Sequence, residues 1–230
     1  MSQEVVLILF QVVVLVFAFS VHESAHAYTA MRLGDPTAYM LGRVTLNPIK
    51  HLDLFGSVLL PLIGLFTGGW LIGWAKPCPI TPRNFRDIRR GELLTALAGP
   101  ASNLAMAGVA LLLLMILKHM VPGGYVSILA AMATADHVAL DLGALRLFPI
   151  AMLLYYGILI NLLLFVFNLV PLPPLDGSMI LSQFLPPQID QAYRRIGLWG
   201  FLLFFILGGR ILGIFYDPLL GAFNHALATL

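Results

Sequence analysis

The chain has 230 residues, of which 60% are hydrophobic and only 10% charged, with a formal net charge of +2 and a mean hydropathy of +0.92. A soluble domain carries about 25% charged and 45–50% apolar residues, so a water-soluble globule is excluded and an integral, multi-pass membrane protein in direct contact with the lipid bilayer is expected. The lone Cys78 excludes an intramolecular disulfide and a cysteine-based zinc ribbon, and no nucleic-acid partner is expected.

The first ten residues, MSQEVVLILF, hold Glu4 and no Lys or Arg, unlike the basic start of a signal peptide, so the first apolar run is expected to be retained. That run continues without Pro or Gly to Gly34, which predicts one long transmembrane helix over 4–34. Between Pro36 and Pro48, weak alternation and β-branched residues around Gly42 and Arg43 predict a short β-hairpin over 36–50 at the membrane surface. The next apolar stretch, 54–75, is long enough to span but carries Pro61, Gly64, Gly68 and Gly69. Arg32, Arg43 and Lys50 precede it, and Lys76, Arg83, Arg86, Arg89 and Arg90 follow it, so a simple span would strand one basic cluster outside. A re-entrant segment keeps both clusters inside. Further helices are expected over 93–118, 147–171 and 196–216, with the 118–146 connection outside and a tail at 217–230. Ten of the thirteen Lys/Arg then lie on one side. The whole chain, 1–230, reads as a single all-α bundle of about 4–6 transmembrane helices with a short β-hairpin and a re-entrant Pro/Gly-rich loop.

The first helix contains His22-Glu23-Ser24-Ala25-His26. Residues four apart stand about 40° apart around a helix, so both imidazoles project from one face and can share a metal ion. Glu23 lies one step round, within reach of a water at that metal. With six histidines and three glutamates in the chain, the pattern arises by chance roughly 0.2% of the time. The bland alternative, three satisfied polar groups in a bundle, has to meet a cost of ~2.5 kcal/mol or more for a charged side chain in the bilayer.

Two histidines leave a catalytic zinc site one ligand short. In NLVPLPPLDG at 168–177, Pro171, Pro173 and Pro174 break an apolar helix and an acid follows at the break. Asp176 is therefore the candidate third ligand; the other reading is an Asp-Gly turn capping the next helix. Asn103 and Asn168 are polar residues in apolar segments. Either is a candidate to bond a substrate backbone or an oxyanion, or else to join helices that Gly99, Ala101 and Ala105 let approach closely. His51 enters the site if the re-entrant loop folds under the first helix, and is otherwise a surface histidine.

These residues resemble the site-2 proteases, intramembrane zinc metalloproteases. The resemblance is carried by HESAH at 22–26, AGPASN at 98–103 and NLVPLPPLDG at 168–177, which stand in the family's order and cover its catalytic core. It is nearest to the compact subgroup without PDZ or CBS domains, in which GRVTLNPIKHLDLFGS and GWAKPCPITPRNFR also have counterparts. The resemblance implies one zinc ion (Zn2+) per chain, held by His22, His26 and Asp176, with Glu23 as catalytic base and Asn103 in contact with substrate or transition state. The implied reaction is hydrolysis of a peptide bond in or near a membrane-spanning segment of a protein or peptide substrate, in regulated intramembrane proteolysis or membrane-peptide clearance. A prokaryotic cytoplasmic membrane, with the active site opening toward the cytosol, is expected.

An extended substrate needs partners for its freed backbone groups, which the Gly42–Thr45 hairpin is expected to supply by strand addition, or the broken Pro171–Pro174 stretch by its open backbone. A competing class is a non-hydrolytic metal-binding membrane protein such as a divalent-metal transporter. That class needs ligands on several helices and a path to both faces, whereas the acids and histidines here gather near one face. A catalytically dead relative acting as a helix chaperone would have no need of Glu23.

Overall fold

The computed structural model describes residues 3–59, 75–136, 146–207 and 209–229. Helix α1 (Gln3–Leu33) is the uninterrupted apolar run expected. Its exposed Val5, Leu9, Val13 and Phe17 recur every four positions and form one stripe, while Leu15, Ala18, Phe19, His22 and His26 are buried on the other side. An exposed apolar stripe of this length suits lipid rather than water. Helix α1 therefore presents an apolar stripe along one side and buries both histidines on the other.

Residues 36–50 form no hairpin, and among the described residues there is no strand. They make a short helix α2 (Thr37–Met40) and a 3-10 turn at Pro48–Lys50. The reason lies in local backbone bonding. The Gly42 N–H donates to Tyr39 (2.9 Å) and the Arg43 N–H to Ala38 (3.0 Å), the paired bonds that close a helix on a glycine of positive φ, here +67°. Backbone groups that a strand would offer to a neighbour are thus taken by the helix end, and the strand-addition surface expected at Gly42–Thr45 does not form.

The buried Arg43 organises the next stretch of chain. Its guanidinium donates to the carbonyls of Lys50, Lys76 (3.3 Å) and Pro77 (2.9 Å), and the Lys76 N–H donates to the His51 carbonyl (2.8 Å). Most of the segment expected to be re-entrant lies outside the described residues, but its two flanks are bonded to each other. Residues 54–59 make a π-helical turn, and 75–81 run without regular structure.

Helix α3 (Ile88–Met120) starts on Asp87, whose carboxylate accepts from the Arg90 N–H (3.0 Å). Its buried face carries Ala96, Gly99, Pro100, Asn103, Ala107 and Ala110, a rhythm of small residues that lets neighbouring helices approach. Helix α4 (Gly124–Ala135) is a 12-residue helix, too short to cross a bilayer, laid against α3 and α5 (Phe148–Leu169). Helices α1, α3 and α5 pack on one another as the core, and these three are long and apolar enough to cross a membrane. Helix α6 (Asp176–Ser182) follows the proline break and packs on α3.

The helix expected at 196–216 is divided. Helix α7 (Pro187–Leu207) kinks at Gly197, and α8 (Gly209–Thr229) continues through the residues expected to be a tail. Helix α8 docks on α5, and the Lys118 ammonium at the end of α3 donates to the Leu227 and Ala228 carbonyls (2.8 and 3.1 Å) at its C-terminus, where carbonyls lack helical partners.

Candidate metal centre

Three elements converge at one depth of the core. Helix α1 brings His22 and His26, α3 passes beside them at Gly99, and the break after α5 starts α6 at Asp176. The close passage depends on glycine: a Cβ at position 99 would stand 2.3 Å from His26 Nε2 and 2.5 Å from His22 Cε1. Pro100, next along, lacks the N–H that would meet the Ala96 carbonyl and crowds that turn, and the adjoining Thr95 carbonyl receives a bond from His26.

That bond sets the chemistry. His26 Nδ1 lies 2.7 Å from the Thr95 carbonyl, and a carbonyl can only accept, so Nδ1 carries a proton and, in the neutral ring, Nε2 presents a lone pair. His22 Nδ1 lies 2.6 Å from Asn103 Oδ1, another acceptor, so it donates likewise. The two Nε2 atoms stand 3.0 Å apart, and Asp176 Oδ2 lies 3.1 and 3.4 Å from them. Oδ2 is buried and receives no hydrogen bond. With both rings neutral, three lone pairs face one point, an unfavourable arrangement that a bound cation relieves.

Tetrahedral zinc, with bonds of about 2.0–2.1 Å, sets its ligand atoms about 3.3 Å apart, close to the separations here. The donor set, the spacing and the bare carboxylate oxygen all fit the metal. Among the described residues this is the one group of His, Cys, Asp or Glu side chains gathered in this way. Glu23, next to His22, is partly buried, and its Oε2 is enclosed without a hydrogen-bond partner.

The remaining candidates fall in different places. Asn103 is fully buried and bonded to His22. Asn168 donates its amide nitrogen to the Leu164 carbonyl of its own helix (3.0 Å). His51 is not a surface residue: it is 1% exposed, and its Nε2 bonds the Thr45 carbonyl (2.8 Å), which places it in the Arg43 knot. Burial pushes the Cys78 thiol up to about 12, the charges of Glu23 and Asp35 add to the rise, and Arg43 opposes it, so the 75–81 stretch runs near Glu23 with an inert thiol. Sequence reasoning missed Asn161, 3% exposed, which accepts from the Asn103 amide at 2.9 Å. A lone Asn in the apolar run, two turns before Asn168, was the available signal.

Comparisons with known proteins take in most of the chain. YwhC of Bacillus subtilis (strain 168), which carries a zinc-metalloprotease name, is 38% identical over 220 residues, covering 95% of this chain and 89% of that protein. Rip2 of Mycobacterium tuberculosis (strain ATCC 25618 / H37Rv), also named as a zinc metalloprotease, is 29% identical over 90% of this chain and 72% of its own length. Rip2 of Mycolicibacterium smegmatis (strain ATCC 700084 / mc(2)155) is 29% identical over 81% of this chain, which spans only 61% of that relative. No solved structure matches. The model of peptidase family M50 matches residues 10–207, a stretch that takes in the two histidines, the small-residue face of α3 and the acid at the proline break. The chain belongs to peptidase family M50.

Proposed function

We propose that this chain is a zinc-dependent intramembrane endopeptidase of the site-2 type, with His22, His26 and Asp176 as zinc ligands. The observation that carries the reading is the meeting of His22 Nε2, His26 Nε2 and Asp176 Oδ2 within 3.0–3.4 Å, with both Nδ1 atoms committed to acceptors, inside a bundle of membrane-length helices. The names of the YwhC and Rip2 relatives support zinc and proteolysis.

Zinc supplies Lewis acidity here, activating water and polarising the scissile carbonyl. The chain's own groups do the rest. Glu23 Oε2, enclosed and without a partner, takes a proton from the attacking water and returns it to the departing amide nitrogen. Asn168 lies in the last turn of α5, just before the proline break that leads to Asp176, and with its nitrogen committed to Leu164 its side-chain oxygen is the atom assigned to a substrate N–H. The helix break at Pro171–Pro174 exposes backbone at the same level, where an unwound substrate finds partners. His51 receives no catalytic role.

The substrate is a membrane-spanning protein or peptide, and the site opens toward the cytosol from the cytoplasmic membrane. The bond between the flanks of the 54–75 stretch supports a re-entrant path, and that path gathers ten of the thirteen Lys/Arg on one side, which supports the orientation. A transporter reading is less well supported, because it leaves the partly buried Glu23 without a task.

The test is cleavage of a single-span model substrate by purified, detergent-solubilised protein. Glu23→Gln is expected to keep zinc and lose turnover, and a chelator is expected to stop cleavage until zinc is restored. Retained turnover in Glu23→Gln removes Glu23 from the base role, and cleavage indifferent to chelation removes the metal from the reaction.

A further inference from the structure

The side chains behind His22 form a chain of hydrogen bonds whose direction is fixed at its far end. Asn161 Nδ2 lies 2.8 Å from the Gly157 carbonyl, which can only accept, so the amide nitrogen of Asn161 faces Gly157 and its oxygen faces α3. That oxygen can only accept, so the neighbouring group of Asn103, 2.9 Å away, is its Nδ2, and Asn103 Oδ1 is turned to His22. Oδ1 in turn accepts from His22 Nδ1 at 2.6 Å and leaves Nε2 as a lone pair aimed at Asp176 and His26. Asn103 and Asn161 are both buried, 0% and 3% exposed, so water does not compete for these bonds.

An Asn side chain is nearly the same shape either way round. With Asn161 absent, nothing on α5 distinguishes the two orientations of Asn103. The flipped form would present Nδ2 to His22 and favour the Nε2–H tautomer, which cannot ligate through Nε2. His26 needs no such device, because its Nδ1 meets a backbone carbonyl that has no second orientation.

We infer that Asn161 is a positioning residue for the metal site: through Asn103 it holds His22 in the Nδ1–H tautomer, ready to bind zinc. Asn103 then serves behind the metal ligand rather than against the substrate. The inference rests on the reading that His22 is a zinc ligand.

Zinc affinity of the purified full chain, measured by competition with a chromogenic chelator, tests it. Outer-shell partners of ligating histidines typically change metal affinity 10–100-fold, and losses of that size are expected for Asn161→Ala and for Asn103→Ala. Because the two act in series, adding Asn161→Ala to Asn103→Ala is expected to change affinity less than twofold. Leu162→Ala, equally buried on α5, is the control, expected to lower the unfolding temperature of the metal-free protein with zinc affinity unchanged.

Losses that multiply in the double variant, or an Asn161→Ala protein that binds zinc as tightly as wild type, overturn the inference. Should Asn161→Ala fail to fold, nitrogen NMR of histidine-labelled, metal-free wild type still decides: His22, assigned by its loss in His22→Ala, is expected as the Nδ1–H tautomer, and the Nε2–H tautomer overturns the inference. Zinc binding that survives His22→Ala instead overturns the metal-site reading and the inference with it.

Discussion

Two buried aspartates teach opposite lessons. Asp35, at the end of α1, is 0% exposed, and both of its oxygens are satisfied: Oδ1 accepts from the Thr37 N–H and hydroxyl and from the Asn84 amide, and Oδ2 from the Thr81 N–H. Burial works against its charge, but these donors prevail and hold the carboxyl below its ordinary range. Asp176 has an oxygen as enclosed as those of Asp35, but without a hydrogen bond and set instead against the Nε2 atoms of His22 and His26. A carboxylate saturated with N–H and O–H donors is a structural fastening, here tying the 76–87 loop to α1. A carboxylate whose enclosed oxygen faces two imidazole nitrogens at 3.1 and 3.4 Å is placed to share a cation with them.

Replacing each acid should separate the two roles. Asp176→Ala is expected to lower zinc affinity by more than the roughly 10–100-fold of an outer-shell loss, with the metal-free protein still folded; chelator competition and circular dichroism measure both. Gly99→Ala should come close behind. A methyl group 2.3 Å from His26 Nε2 has to push α1 from α3, so zinc is lost and stability falls by about 1–3 kcal/mol, the usual range for overpacking, read as a lower melting temperature. If Gly99→Ala binds zinc normally, the close passage of α3 is not what shapes the site.

Asp35→Asn should leave one zinc per chain. It sets an N–H against groups that already donate, and about 1–3 kcal/mol is expected for the mismatch, seen as faster proteolysis within the 76–87 loop. Loss of zinc in this variant would erase the distinction between the two acids. The smallest effect is that of pH. A carboxyl whose folded pKa is depressed contributes stability above the unfolded value, about 3.9, and loses it as pH falls through the folded one. Wild-type protein should therefore loosen around 76–87 only below the ordinary Asp range, and Asp35→Asn should lack that acid-dependent step in limited proteolysis.

Much of the site is legible in the sequence, because its signals are local or carried by residue type. The spacing of His22 and His26 is a helix repeat, and an acid after Pro171, Pro173 and Pro174 announces a break that points somewhere. The three long apolar runs form α1, α3 and α5 for the same reason. The features that sequence does not reveal are decided by contacts between distant residues. The hairpin expected at 36–50 rests on a short, weak alternation, and Arg43 gathering the Lys50, Lys76 and Pro77 carbonyls has no signature in it. His51 reads as a surface residue for want of any view of Thr45. Asn161 shows in the sequence only as a lone polar residue in an apolar run; its role is hidden because its partner, Asn103, is 58 positions away, and only the packing of α3 on α5 brings the two amides together.

His22, His26 and Asp176 are proposed to hold zinc. Zinc-edge X-ray absorption of the purified, zinc-loaded protein in detergent, beside Asp176→Ala, tests this most directly. One zinc per chain, with two imidazoles and oxygen in its shell and a spectrum altered in Asp176→Ala, is the predicted result. A sulfur shell from Cys78, or an Asp176→Ala spectrum identical to wild type, would contradict it.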